Sequence, residues 1–310
     1  MKLGVAFGSH THPWETLVEL VERAEELGYA AAFVDGDISM LGSSRKADVL
    51  DGWTATIALL ARTRRIQIGS IRLVHHWNAA QLAQAAATAE RIAPGRLRFL
   101  ISIGDRPNDE RFGLQRPSAS ERVRWLDETL TAVRGLWRGE AVSVRGRYVK
   151  LDGAIVQPSP PGGRLPITVA GRGTMMLDVI AAHADFWEIN LPPLPARVEA
   201  AAAQLVRACR ARKRDPNEIG RSMWIFTRVG RSPDPAAVLA EYRRLNPWFH
   251  WLSDQEAGAA TVSGSGDECR EQLEAISQTL GLDLTVIDLS GLDASTSHRT
   301  LEGVALKKLR

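Results

Sequence analysis

The chain has few cysteines and no long apolar run. Among its 310 residues the only cysteines are Cys209 and Cys269, and each stands alone in a helix-like segment. This excludes a disulfide framework and a zinc site built on a C-x-x-C pair. No apolar stretch approaches the roughly 20 residues of a membrane span, and the N-terminal apolar segment is too short for a signal peptide. We therefore expect a cytoplasmic protein with no membrane partner.

Charge of one sign is not concentrated either. Lys and Arg number 39 and Asp and Glu 36, and the two signs are interleaved along the chain. The densest basic group, RACRARKR at 207–214, has no aromatic residues beside it, which is typical of a solvated helix end rather than a nucleic-acid site. We expect no nucleic-acid partner.

What the sequence does contain is a regular alternation of short apolar segments and longer amphipathic ones. Eight apolar segments are predicted strands, each joined to the next by a helix. The predicted strands are 2–8, 31–37, 66–73, 96–104, 166–172, 185–190, 223–230 and 283–291. This pattern favours a closed (β/α)8 TIM-type barrel formed by residues 1–310 as a single domain. An open doubly wound sheet is the alternative, because one sequence does not give the strand order.

Two segments depart from the alternation. Residues 141–158 alternate polar and apolar side chains around a Gly-Arg turn, which predicts a small hairpin inserted after the fourth unit. Residues 246–262 fit neither a strand nor a helix, and we expect a lid loop there.

The first strand is followed by a His-x-His pattern at His10 and His12. Such a pattern begins the metal site of some barrel hydrolases, but later strands would have to supply further ligands. His75 and His76 are the only later histidines in a suitable place. We therefore predict no metal, and we expect His10 on the polar rim of the pocket as a substrate contact.

The fifth predicted strand ends in Gly171, Arg172, Gly173 and Thr174, and a helix begins at once. The first N–H groups of a helix and its dipole favour an anion, glycine allows the backbone to approach it, and Arg172 adds a charged donor. The stretch predicts a phosphate site. The alternative is a plain turn in which Thr174 caps the helix.

Several motifs in order carry a family resemblance: "AEELGYAAAFVDGD", "ERVRWLDETLTAVRGLW", "GRYVKLDGA", the Gly-rich turn followed by "AAHAD", and "GDECREQLEAISQTLGLDLTVIDL". Over most of its length the chain resembles the bacterial luciferase-like family of flavin and deazaflavin oxidoreductases. The resemblance implies a barrel that holds reduced FMN or coenzyme F420 across the strand ends, with the cofactor phosphate at residues 171–174. It places the ring near the third and fourth strands, at Ile71, Arg72, Ser102 and Gly104, and it implies a non-proline cis peptide between Ser70 and Arg72.

The chain also departs from the family pattern. Many relatives carry a histidine after the second strand where this chain has Asp37, which we expect to be a proton donor or a hydrogen-bonding partner of the cofactor. His75 and His76 are the other catalytic candidates, and which of them faces the pocket is left open. Arg106 is expected to contact the cofactor or substrate, or to pair with Asp105 or Asp109. The remaining expected substrate contacts are Trp77, Trp187, Glu188 and Trp248.

The family divides between FMN-dependent monooxygenases and F420-dependent enzymes, and the monooxygenases tend to carry large insertions. Because this chain is compact, we expect an F420-dependent oxidoreductase that transfers a hydride between the deazaflavin and a small organic or natural-product substrate, a peptide natural product included. The alternatives are an FMN-dependent luciferase-like monooxygenase and a non-catalytic barrel that binds the cofactor. The resemblance also makes a homodimer the expected assembly.

Overall fold

The computed structural model describes residues 1–8, 12–36, 38, 49–104, 109–230 and 234–305. Eight parallel strands close into a barrel in the order β1, β2, β3, β4, β7, β8, β9 and β11. The strands of the barrel are β1 (Leu3–Phe7), β2 (Ala31–Val34), β3 (Gln67–Leu73), β4 (Leu97–Ser102), β7 (Ile167–Gly171), β8 (Phe186–Ile189), β9 (Gly220–Val229) and β11 (Leu284–Asp288). The pairing of β8 with β9 and of β11 with β1 completes the ring. The predicted closed barrel is confirmed, and the open sheet is wrong.

In the part of the chain that the structure describes, three further strands lie outside the ring. β5 (Val142–Arg145) and β6 (Lys150–Ala154) form an antiparallel hairpin after the fourth unit. β10 (Val262–Gly264) pairs with the carboxyl end of β9.

The helices form the outer layer. The longer ones are α1 (Trp14–Glu26), α2 (Gly52–Arg62), α3 (Ala79–Ile92), α4 (Ala119–Trp137), α5 (Thr174–His183), α6 (Pro195–Ala211), α7 (Pro235–Leu245), α9 (Gly266–Leu280) and α10 (Ala294–Val304). Most begin at a side-chain cap: Asn78 caps α3, and Ser118 and Ser265 form capping boxes on α4 and α9. Among the described residues no helix is long and apolar enough to cross a membrane.

The 246–262 segment contains regular structure. A 3-10 turn spans Pro247–Phe249, and a short helix, α8 (Asp254–Ala259), follows. Together with α7 and the end of β9 this segment builds an apolar cluster of its own, centred on Phe226, Tyr242 and Phe249. The cluster covers one side of the barrel mouth.

Small and bulky side chains fill the inside of the barrel. Phe33 packs on Trp224 with 5.6 Å between ring centroids, and Ala6, Leu100 and Val286 complete this inner layer. These side chains close the middle of the barrel, and a cavity lies above them, at the carboxyl ends of the strands.

Candidate active site

A cavity of about 350 Å³ opens at the carboxyl ends of the barrel strands. Its walls come from the ends of β2, β3, β4, β7, β8, β9 and β11, and its cover comes from α7 and the 3-10 turn after it. The size is in the range of small-molecule sites. The location is where barrels of this type carry their active sites.

The turn after β7 lies at the mouth of this cavity. Gly171 is part of the cavity wall, and Gly173 is the N-cap of α5 with φ 82° and no side-chain cap. A Cβ added at Gly173 would meet no atom within 4 Å. No side chain of the N-cap accepts from the first N–H groups of α5, and the space beside Gly173 is open, as an oxyanion site requires. Thr174 is the first helical residue and Gly173 is the N-cap, which corrects the capping role given to Thr174 in the plain-turn alternative.

Arg172 is turned from this mouth toward the segment after α7. Its Nη2 donates to the Trp248 carbonyl oxygen at 3.2 Å. Its Cζ lies 5.2 Å from the ring centroid of Phe249 and 5.7 Å from that of Trp251. Both Arg172 and Trp248 are wall residues of the cavity.

The opposite wall comes from β3 and β4. Ile71, Ser102 and Gly104 line the cavity, and their contact with a cofactor ring stays a prediction. The backbone at Gly36 lies so close to the Ile71 carbonyl that an added Cβ would be 1.8 Å from its oxygen. The peptides from Ser70 to Arg72 are trans, and the cis bond within the described residues is Gln157–Pro158, which corrects the expectation of a cis peptide at the end of β3.

Arg72 does not reach the cavity. The side chain is 3% exposed, donates to Ser70 Oγ at 2.6 Å, and stacks on Trp53 and Trp77 at 5.4 and 5.6 Å. Successive strand residues point to opposite faces, so with Ile71 facing inward Arg72 faces the helix layer. The expectations that Arg72 contacts the cofactor and that Trp77 contacts substrate are corrected by this placement.

The two histidines lie behind the cavity wall. The rings of His75 and His76 meet edge to face with 4.5 Å between centroids, and the His75 ring lies under Gly104. Neither belongs to the described wall of the cavity. A catalytic role for either stays a prediction.

Trp187 and Glu188 are neighbours on β8, and their side chains point to opposite faces of the sheet. Trp187 is fully buried in the outer core, and its Nε1 donates to the Gly171 carbonyl oxygen at 2.9 Å. It therefore supports the turn after β7, which corrects the expectation that it contacts substrate. Glu188 faces the cavity.

Glu188 is a buried acid in the cavity wall, as is Asp35. One carboxylate oxygen accepts from Ser222 Oγ at 2.5 Å and the other from the Trp224 N–H at 3.0 Å, while only 6% of the residue is exposed. Burial raises the pKa of Glu188 to about 7, because these two hydrogen bonds and the charge of Arg98 offset only part of the desolvation. Both protonation states are accessible near neutral pH.

Sequence reasoning missed several wall residues. Trp224 and Phe226 line the cavity together with Tyr242 of α7. The spacing of Ser222, Trp224 and Phe226 by two is the alternation of one strand face and was a usable signal. Tyr242 had no such signal, because the packing of α7 over the barrel brings it there. Arg122 is buried and donates to the carbonyls of Ile103 and Gly104, which fixes the turn after β4.

His10, Asp37 and Arg106 lie outside the described residues. Within the described part of the chain, no three His, Cys, Asp or Glu side chains come together as a metal site would require.

The sequence profile of the luciferase-like monooxygenase family matches residues 1–284. The chain belongs to this family. Its curated relatives include F420-dependent glucose-6-phosphate dehydrogenases. The one from Mycobacterium avium (strain 104) is 32% identical over 178 residues, which cover 56% of this chain and 52% of the relative. The one from Gordonia bronchialis is 28% identical over 262 residues, 80% of this chain and 73% of the relative.

The chain thus spans about half the length of the Mycobacterium relative. Solved structures of similar fold include an F420-dependent secondary alcohol dehydrogenase, with a TM-score of 0.84 and 18% identity over 100% of this chain and 99% of that one. The EDTA monooxygenase of Chelativorans sp. BNC1 has a TM-score of 0.81 and 15% identity, with coverages of 98% and 92%. At these identities the likeness concerns the luciferase-like fold alone.

Proposed function

We propose that the chain is an F420-dependent oxidoreductase that transfers a hydride between the deazaflavin and a small organic substrate. The observation that carries the proposal is the start of α5 at the cavity mouth, where Gly173 leaves helix N–H groups open to an anion. The F420-dependent relatives support the choice of cofactor.

The residues present fit such a cofactor. The N–H groups of Thr174 and its successors, with the helix dipole, would hold a phosphate. Ile71, Ser102 and Gly104 would border the ring, since they form the β3 and β4 wall of the same cavity. When bound, the deazaflavin supplies the carbon that accepts or donates the hydride, and it does not readily activate dioxygen.

The protein's own groups would do the rest. Glu188 would hold or release a proton at a carboxylate oxygen, because its pKa of about 7 lies near neutral pH. Phe226 and Trp248 would cover the substrate and keep water out, since both line the cavity beside the cover formed by α7. Asp37, His75 and His76 stay predicted catalytic candidates. Arg106 as a cofactor contact, and His10 and Trp248 as substrate contacts, stay predictions too.

The competing function is an FMN-dependent monooxygenase. Membership of the luciferase-like monooxygenase family favours it, and the same turn after β7 would accept the phosphate of FMN. A natural-product substrate and a homodimer stay predictions.

The test is a parallel titration of the purified protein with F420 and FMN, oxidised and reduced, followed by tryptophan fluorescence. We expect F420 to bind at least about tenfold more tightly than FMN, a difference of about 1.4 kcal/mol. The reverse preference would favour the monooxygenase. Binding of neither cofactor would contradict both functions, and F420 binding without turnover of any carbonyl or alcohol would favour a non-catalytic barrel.

A further inference from the structure

The buried Glu188 and a wall of aromatic rings line the same cavity. Glu188 projects inward from β8 and is held by Ser222 and the Trp224 N–H. Aromatic rings from three elements form part of the same cavity wall. These rings are Phe226, Tyr242, Trp248 and Phe249. Phe226 and Tyr242 meet edge to face at 5.4 Å, so that the wall is continuous.

Burial and the neighbouring charges act in opposite directions on the ionised form of Glu188. Arg98 projects inward from β4 below Glu188, and its Cζ lies 4.4 Å from the Phe186 ring centroid. Its guanidinium interacts electrostatically with Asp283 as well as with Glu188. Asp35 and Asp288 line the same cavity from β2 and β11. Burial disfavours the ionised form, and Arg98 together with the two hydrogen bonds favours it.

The described walls offer little to an anionic substrate. The two cationic side chains in these walls are Arg122 and Arg172, and both already donate hydrogen bonds to backbone carbonyls of the protein. Arg122 donates to the carbonyl of Ile103, and Arg172 donates to that of Trp248 and stacks on rings. Carboxylates in the same walls would repel a second phosphate or a substrate carboxylate. An uncharged substrate avoids this repulsion.

We propose that the substrate is an uncharged alcohol or ketone whose apolar body packs on the aromatic wall, and that Glu188 exchanges the proton of its oxygen. This inference rests on the proposed F420-dependent function. In the oxidation the O–H bond would break and give its proton to the Glu188 carboxylate, while the C–H bond would give up its hydride, for which the oxidised deazaflavin of the proposed function would be the acceptor. The alcohol loses two electrons and becomes the ketone, and the reduction runs in reverse with Glu188 as the acid.

The two substrates require opposite forms of Glu188. A ketone oxygen only accepts, and it needs the protonated carboxyl as donor. An alcohol hydroxyl makes its stronger, charge-assisted hydrogen bond to the carboxylate. The affinity for a ketone should therefore fall as the pH rises through about 7, and the affinity for the matching alcohol should rise.

The test measures binding of acetophenone and 1-phenylethanol to the cofactor-free protein by tryptophan fluorescence between about pH 5.5 and 8.5. Trp224 and Trp248 line the cavity and report on occupancy. We expect acetophenone to bind at least about tenfold more weakly at the upper pH, and 1-phenylethanol to show the opposite slope. A ketone affinity that does not change with pH would overturn the role of Glu188.

Glu188→Gln should flatten both slopes, because an amide does not titrate in this range, while Glu140→Gln on the surface should leave them unchanged. Ser222→Ala tests the same point if Glu188→Gln does not fold. Loss of a donor to the carboxylate should move the midpoint of the ketone titration to higher pH. An unchanged midpoint in Ser222→Ala, or an unchanged slope in Glu188→Gln, would contradict the proposal.

Glucose 6-phosphate is the charged probe. We expect it neither to change the fluorescence nor to compete with acetophenone, and competition would overturn the assignment to uncharged substrates. The F420 titration described above is a separate measurement. If F420 does not bind but the pH slopes are present, the proposed function is wrong and the role of Glu188 is supported. If F420 binds but the slopes are flat, the proposed function is supported and the role of Glu188 is wrong.

Discussion

The Arg172 guanidinium donates a hydrogen bond to the backbone carbonyl of Trp248 across 3.2 Å. The same group stacks on Trp251, and Arg197 lies over that indole too, with its Cζ 4.5 Å from the ring centroid. The turn that carries the proposed phosphate site is therefore tied to the segment that covers the cavity. A substitution in the turn should therefore change the stability of the covering segment.

Replacement of Arg172 by Ala should loosen the cover of the cavity. The variant loses the hydrogen bond to Trp248 and the stacking contacts, which together are expected to contribute about 1–3 kcal/mol to local order. Faster amide hydrogen exchange in residues 246–260, with slower exchange retained in the barrel strands, is the expected result. Arg207→Ala, on the exposed face of α6, is the matched control. Equal exchange rates in Arg172→Ala and the native protein would show that the Arg172 contacts do not stabilise the segment that covers the cavity.

A side chain at Gly173 should abolish cofactor binding. Its φ of 82° makes any L-residue strained by about 1–2 kcal/mol, and the added atoms would occupy the space in front of the first N–H groups of α5. The expected result for Gly173→Val is at least about a hundredfold loss of F420 affinity by fluorescence titration.

Gly162→Val is the matched control for that loss. Gly162 has φ 66° and equally open surroundings, but it lies in the turn before β7, away from the cavity. Backbone strain should lower the stability of both variants, whereas the affinity for F420 should fall in Gly173→Val only. Equal F420 affinities of the two variants would mean that the phosphate binds elsewhere.

Loss of the Glu188 proton should make the protein less stable above neutral pH. Its folded pKa of about 7 lies above the ordinary 4.5, so this group contributes stability below pH 4.5 and loses it as the pH rises through 7. The contribution is on the order of 3 kcal/mol for a shift of this size. Urea denaturation at several pH values should show the decline in the native protein and a flatter profile in Glu188→Gln, relative to Glu140→Gln.

Asp185 should act in the opposite direction. It accepts from the Ile167 N–H and from Arg134 Nη2, at 2.8 and 2.7 Å, and it pairs with Arg164. Burial alone would raise the pKa of this carboxyl, but these hydrogen bonds and the charge of Arg134 together lower it below 3.8. The stability it contributes is full above pH 3.8 and is lost as the pH falls through its folded pKa.

Substitution Asp185→Asn should therefore lower the free energy of unfolding by about 2–3 kcal/mol at neutral pH and by less in acid. Denaturant titrations at neutral and acid pH measure this difference. Asp152→Asn, at an exposed position of the hairpin, is the control. A loss that is the same at both pH values would mean that the negative charge is not what Asp185 contributes.

The barrel was predictable because its strands are short apolar segments at regular intervals, and all eight lie where the alternation indicates them. The direction of individual side chains was less accessible. Ile71 and Arg72 were both expected beside the cofactor, yet adjacent strand residues face opposite sides and only Ile71 faces inward. Tyr242 shows a second limit, since its place depends on how α7 packs on the barrel rather than on its neighbours in sequence.

The segment after α7 shows a signal that was present and unused. Residues 246–262 were expected to be a loop, but Ser253 and Glu256 form a capping box that begins α8. That spacing is a recognised start of a helix. Only six residues follow the cap, which is too few for the helical period to stand out.

The apolar cluster of Phe226, Tyr242 and Phe249 is separate from the main core, although its members line the cavity. Ring closure depends on other contacts, namely the pairing of β9 with β8 and β11. Mutations that accumulate between α7 and β10 can therefore change what the pocket accepts while the barrel keeps its fold. For evolution, the expected consequence is that this segment can diverge with the substrate under weaker constraint than the strands that close the ring.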